Sequence, residues 1–235
     1  MEPIPRHVSA ETQALLVRLR DFSFPQGERA VSSIRAVRTS AAGEMRMSPG
    51  ARWIPFTAEQ FIDATRSSFR WEARLNPGKI GAPMVIDAYE QGHGRVQVKL
   101  GIVSLKKITG PDADKGELQR YMASVVLCPA MLLNHPTLEW HAAGPSSLTV
   151  RDREDPTGAT VDMELSEAGC PIAIRAMRPR LVGSSVVLTP WLGKASEFRE
   201  YEGLRVVTRL EVAWALPEGE FSYFRSELSL LRFVR

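Results

Sequence analysis

The chain has 235 residues, 44% of them hydrophobic and 24% charged, which suffices for one large domain with a real core. That composition excludes a disordered or fibrous chain. Thirty Lys and Arg against 27 Asp and Glu give a net charge of +3, but the cations are scattered among acids, so nucleic acid is not an expected partner.

The N-terminal stretch MEPIPRHVSAETQALLVRLRDFSF lacks a charged start, an unbroken apolar run and a small-residue cleavage site. Nowhere do 18 apolar residues follow one another, so no transmembrane segment is expected. As written the protein is expected in the cytoplasm; an upstream start would instead allow a periplasmic or membrane-associated form. Val8, Leu15, Leu16 and Leu19 have helical spacing and Arg18 and Arg20 sit near the negative pole, which predicts an amphipathic helix over 8–20. FSFPQGE then stops it.

From about residue 40 the period becomes two. Met45 and Met47 alternate with Glu44 and Arg46, and Phe69, Trp71, Ala73 and Leu75 alternate with Arg70, Glu72 and Arg74, as in half-buried strands. Between them TAEQFIDAT reads as one or two helical turns, with Thr57 as N-cap and Gln60 completing a capping box. MVIDAYEQGHGRVQVKL predicts a hairpin turning over Gln91 to Gly94, extended by GIVSLKKITG through a bend at Gly101. A central helix is expected over 115–128, with Leu118, Tyr121, Met122, Val125 and Val126 at helical spacing until Pro129.

Later elements return to period two. LEWHA and SLTVRDR pair around AGPS, and ATVDMELSEAGCPIAIRAM turns at Glu167 to Gly169. SVVLTPW, SEFREYEGLRVVTRLEVAWAL and FSYFRSELSLLRFV follow. In the longest, Leu204, Val206, Thr208, Leu210, Val212 and Trp214 share one face and Arg205, Arg209 and Glu211 the other. About ten to twelve antiparallel strands with two helices predict a mainly β fold. A sheet this large must curl, giving a half-barrel plugged by the central helix. A single domain over 1–235 is expected, with an N-terminal helix and connection in 1–35 and the curved sheet in 40–235.

Two stretches carry a resemblance. SPGARWIPFTAEQF (Ser48 to Phe61) and LTPWLGKASEFREYEGLRVVTRLEVAWALPEGEFSYFR (Leu188 to Arg225) resemble a bacterial family of unknown function, and the likeness covers most of the chain from about residue 35. The family's sheet pattern is similar to the LolA-type lipoprotein carriers, whose curved half-barrel with a helical lid holds acyl chains. The resemblance therefore implies a binding or carrier protein for a lipid or other apolar ligand, a fold-level analogy. The central helix departs from the family pattern, with Ser124 where Glu is usual and Leu127 where Trp is usual. Many relatives also begin with membrane-spanning segments that this chain lacks.

Candidate ligand contacts are the large aromatics: Trp53, Phe56, Trp71 and Tyr89, then Tyr121 on the central helix and Trp140, and finally Trp191, Tyr201 and Trp214. Rigid aromatic side chains line apolar pockets, although ordinary core packing would use them equally. No catalytic motif stands out. His141, with Glu139 two residues before it, is the candidate acid/base pair, and His93 between turn glycines reads as exposed. Metal-ligand spacings are absent, no cofactor is expected, and Cys128 and Cys170 read as inert thiols. Two alternatives remain beside the carrier: an isomerase, cyclase or hydrolase acting in the same cavity, and an interaction domain that self-associates through an edge strand.

Overall fold

The computed structural model describes residues 8–235, so the sequence readings on residues 1–7 lie outside it. Helix α1 runs Ala10–Ser23. The Ser9 hydroxyl caps it by accepting from the Thr12 amide at 3.2 Å, which leaves Val8 before the helix. Its buried face is Leu15, Leu16 and Leu19.

The rest is a single sheet of thirteen strands among the described residues, every neighbour antiparallel. In chain order they are β1 (Ala36–Met45), β2 (Ile54–Asp63), β3 (Phe69–Leu75), β4 (Met84–Glu90), β5 (His93–Leu100) and β6 (Val103–Ile108). After the central helix come β7 (Leu138–Gly144), β8 (Ser147–Asp152), β9 (Thr160–Leu165), β10 (Pro171–Val182), β11 (Ser185–Tyr201), β12 (Leu204–Leu216) and β13 (Gly219–Val234). The order across the sheet is β6-β5-β4-β3-β2-β1-β13-β12-β11-β10-β9-β8-β7, so β6 and β7 are free edges and the half-barrel is open.

The expectation of helical turns in TAEQFIDAT is overturned: those residues are the body of β2. Phe56, Ala58 and Ile62 are buried at alternate positions. Pairing on both sides, with Ala58 opposite Ala41 of β1 and Ala73 of β3, outweighs the local capping signal. SEFREYEGLRVVTRLEVAWAL, read as one stretch, is divided by a turn at Glu202-Gly203, and its first part, SEFREY, joins SVVLTPW in one strand, β11, with an irregularity at Glu197. There the register passes from Ser196 opposite Arg209 to Phe198 opposite Val207, and Glu197 takes φ 56°. The register is kept, so no residue is inserted, and the left-handed backbone at Glu197 is a local irregularity within a continuous ladder. The Thr208 hydroxyl holds it by donating to the Glu197 carbonyl at 2.6 Å.

Tight turns at Gln91-Gly92 and Glu202-Gly203 place both central residues at positive φ, the type that matches the twist of a hairpin. These turns and α1 lie at one end of the sheet. By register, the β1–β2, β3–β4, β5–β6, β10–β11 and β12–β13 connections all fall at the other.

Helix α2 (Pro111–Ala123) continues into a 3-10 turn at Ser124–Val126 and is followed by the short α3 (Met131–Asn134). It begins before the expected residue 115 because Pro111 opens its first turn. α2 crosses the concave face, packing on β4 and β5 from one half of the sheet and on β9 and β10 from the other. Gly94 of β5 permits this approach: a Cβ there would overlap the Ala113 carbonyl, and the Gly94 amide donates to Asp114 Oδ1 at 2.7 Å. The Tyr121 hydroxyl, wholly buried, donates to the Asp63 carbonyl at 2.8 Å and ties the helix to β2. No helix among the described residues is long and apolar enough to cross a membrane.

Candidate functional site

Between α2 and the sheet lies a cavity of about 490 Å³, within the size range of small-molecule sites. Its depth is aliphatic, with Ala41, Ala58, Ile174, Val207 and Leu228. One wall is aromatic. Phe56 stacks on Phe224 at 5.2 Å between ring centres and meets Trp71 edge-on at 5.7 Å. Trp214 stacks on Tyr223 at 5.7 Å, and the Trp191 indole donates to the Tyr223 hydroxyl at 3.0 Å. Met47, Arg180 and Leu181 line it at the hairpin-tip end, where Met47 and Leu181 are also exposed to solvent.

The third component is charged, and α2 supplies half of it. Glu117 and Arg120, one turn apart on the helix, face Asp87 of β4 and Arg178 of β10. Arg120 pairs with Asp87, and its guanidinium lies 4.7 Å from the centre of Trp71. Arg178 donates to the Gly116 carbonyl at 2.6 Å, stands 3.5 Å from Glu117, and covers Trp191 at 5.0 Å. Asp87 Oδ1, Glu117 Oε2 and Arg178 Nε are buried without a hydrogen-bond partner among the described residues. Burial pushes the Glu117 carboxyl up to about 7, with the nearby Asp87 adding to the rise and Arg178 and Arg120 opposing it. Burial likewise raises the Tyr223 phenol. The cavity thus presents aromatic faces, an aliphatic lining and a buried carboxyl group whose proton is held more tightly than usual.

Of the nine aromatics singled out in the sequence, Phe56, Trp71, Trp191 and Trp214 line this cavity. Trp53 is not part of the lining, and the guanidinium groups of Arg46 and Arg225 each lie 4.5 Å from its ring centre. Tyr89, Tyr121 and Trp140 are buried in the core and Tyr201 is half-buried, all four away from the lining. His141 is exposed, and Glu139 pairs with Arg151 at 2.9 Å, so neither reaches the cavity. Their strand lies at the sheet edge, where alternation sends both outward. His93 is exposed as its turn position implies. The charged face of β12 is also external: Arg209 pairs with Glu197 at 2.7 Å.

A second polar cluster has the residue types of a hydrolase but not the arrangement. The Ser67 hydroxyl donates to Asp152 Oδ2 at 2.5 Å and lies 3.3 Å from His135 Nε2. The serine proton is directed at the carboxylate, so the imidazole is not placed as the base of a serine–histidine pair. Burial holds the His135 imidazole below its ordinary range. Cys128 is fully buried and its thiol is raised well above the usual range by burial, which leaves it inert. No group of residues suited to a metal ion occurs among the described residues.

An open, curved antiparallel sheet with few helices is the fold that this chain shares with a LolA superfamily protein. Residues 22–226 match a family of unknown function, DUF6544, and the chain belongs to that family. The motifs at Ser48–Phe61 and Leu188–Arg225 fall within the matched region. A DUF1329 family protein from Desulfovibrio piger is similar in fold, with 11% identity and a TM-score of 0.55 over 96% of this chain and 94% of that one. A LolA superfamily protein from Nitrosomonas europaea is similar at 12% identity and a TM-score of 0.51, over 97% and 95%. A comparison with curated proteins returns no match.

Proposed function

We propose that the protein binds an apolar, lipid-like small molecule in the cavity beneath α2 and acts as its carrier. The observation that supports this reading is the cavity itself: about 490 Å³ of space lined by Phe56, Trp71, Trp191 and Trp214 over an aliphatic depth. Burying apolar ligand surface there is favourable by roughly 25 cal/mol per Å². A cavity of this size inside an otherwise packed domain forgoes that much contact unless something fills it. The LolA-like fold supports the same reading by analogy.

The test is solvent extraction of the purified protein followed by mass spectrometry, with titration of a fluorescent fatty acid into the delipidated protein. A co-purifying lipid or apolar metabolite, or saturable probe binding that Ala41→Trp weakens by filling the depth, is the expected result. Protein that carries nothing and binds no apolar probe would refute the reading.

One observation favours a second reading, an enzyme acting on a small apolar substrate in the same cavity. Glu117 lines the space with its carboxyl raised to about 7, which suits a general acid or base at neutral pH. Glu117→Gln separates the two, since a carrier keeps its ligand and an enzyme accumulates unturned substrate.

A further inference from the structure

The hairpin-tip end of the sheet is unlike the rest of the surface. Sixteen large aliphatic side chains are exposed among the described residues, and eleven of them lie in, or within four residues of, the connections at this end. Ile80 at the β3–β4 tip is 106% exposed, Ile102 at the β5–β6 tip 100%, and Met47 at the β1–β2 tip 78%. Scattered exposed aliphatics need no explanation, but their collection at one pole does. Folding alone would not select it, because these side chains touch little of the protein.

The charge at this pole is one-sided. Arg52, Lys79, Lys99 and Lys106 lie in the same stretches as the exposed aliphatics and make no ion pair among the described residues. Of the acids there, Glu44 is neutralised by Arg225 and Glu220 by Lys194, leaving Glu218. Aliphatic tips among lysines match the two layers of an anionic membrane surface: tips reach the acyl boundary while ammonium groups stay with the phosphates. A second copy docking rim to rim would set lysines against lysines.

We infer that the hairpin-tip pole is a docking face for a bilayer rich in anionic phospholipid. Met47 and Leu181 belong both to this pole and to the cavity lining, so docking would bring that end of the cavity to the acyl region. The inference stands on surface residues and holds whatever the cavity contains.

Sedimentation of the full chain with phospholipid vesicles tests it. The protein should pellet with vesicles of mixed phosphatidylglycerol and phosphatidylcholine, remain in the supernatant with phosphatidylcholine alone, and be released by salt. The double variant Ile80→Asp, Ile102→Asp should lose affinity by about tenfold or more with an unchanged urea midpoint, since both side chains are exposed. Lys99→Glu with Lys106→Glu should do the same through charge. Wild-type protein that ignores anionic vesicles, or a double variant that binds them equally, would overturn the inference. So would a dimer in analytical ultracentrifugation that the double variant dissociates, because the pole would then be a contact between copies. Extraction of apolar ligand from the vesicle-blind variant keeps this result separate from the carrier reading.

Discussion

Replacing Glu117 by Gln should change how stability depends on pH. The Glu117 carboxyl is wholly buried beside Asp87 and is raised from 4.5 to about 7 in the fold. A raised carboxyl means that the folded chain holds a proton which the unfolded chain has already released, so stability falls as pH climbs between those two values. At ~1.4 kcal/mol per tenfold the full loss is about 3 kcal/mol, complete above about pH 7. Gln keeps the shape and carries no charge at any pH. Urea denaturation of both proteins from about pH 5 to about pH 8 should therefore give curves that diverge, the wild type losing most of that amount relative to Glu117→Gln. Parallel curves would refute the argument and place the Glu117 carboxyl in a well-solvated or fully paired setting.

Other expectations follow from single contacts. Gly94→Val should destabilise by about 2 kcal/mol or more, because its Cβ would overlap the Ala113 carbonyl, and amide exchange should localise the loss to α2 and β5. Tyr121→Phe removes the buried bond to the Asp63 carbonyl and should cost about 1–3 kcal/mol in urea, leaving that carbonyl without its donor. Leu148→Ala empties a fully buried site in β8 and should cost about 2–5 kcal/mol by the same assay. His141→Ala should leave stability within about 0.5 kcal/mol and ligand loading unchanged, since the ring is exposed away from the cavity; a loss of loading would contradict the placement of β7.

The sheet was legible in the sequence because a half-buried strand writes its two faces alternately. Trp71 and Ala73 against Glu72 and Arg74 needed no tertiary information. β2 was obscured for the opposite reason. Thr57 and Gln60 satisfy a local capping rule, and only pairing to both β1 and β3 decides against it. The same limit hid β11, since the left-handed backbone at Glu197 interrupts the burial alternation in mid-strand while the pairing to β12 continues.

The candidate site divides along the same line. Period-two alternation marked Phe56, Trp71, Trp191 and Trp214 as inward, either cavity wall or ordinary core. Which inward residues face the cavity and which face solid core depends on where α2 crosses, and sequence does not carry that: Tyr89 and Trp140 are about as buried as Trp71 yet do not line the cavity. Arg120, Asp87, Glu117 and Arg178 were invisible for a deeper reason. Each looks like a surface residue by type, and their meeting depends on three elements converging beneath one helix. A signal was nonetheless present, because Glu117 sits among Leu118, Tyr121 and Met122 on a helix buried almost all round, where no face is left for a solvated charge. A carboxylate forced inward by its helix must find an arginine or keep its proton, and Glu117, 3.5 Å from Arg178 and raised to about 7, is balanced between those outcomes.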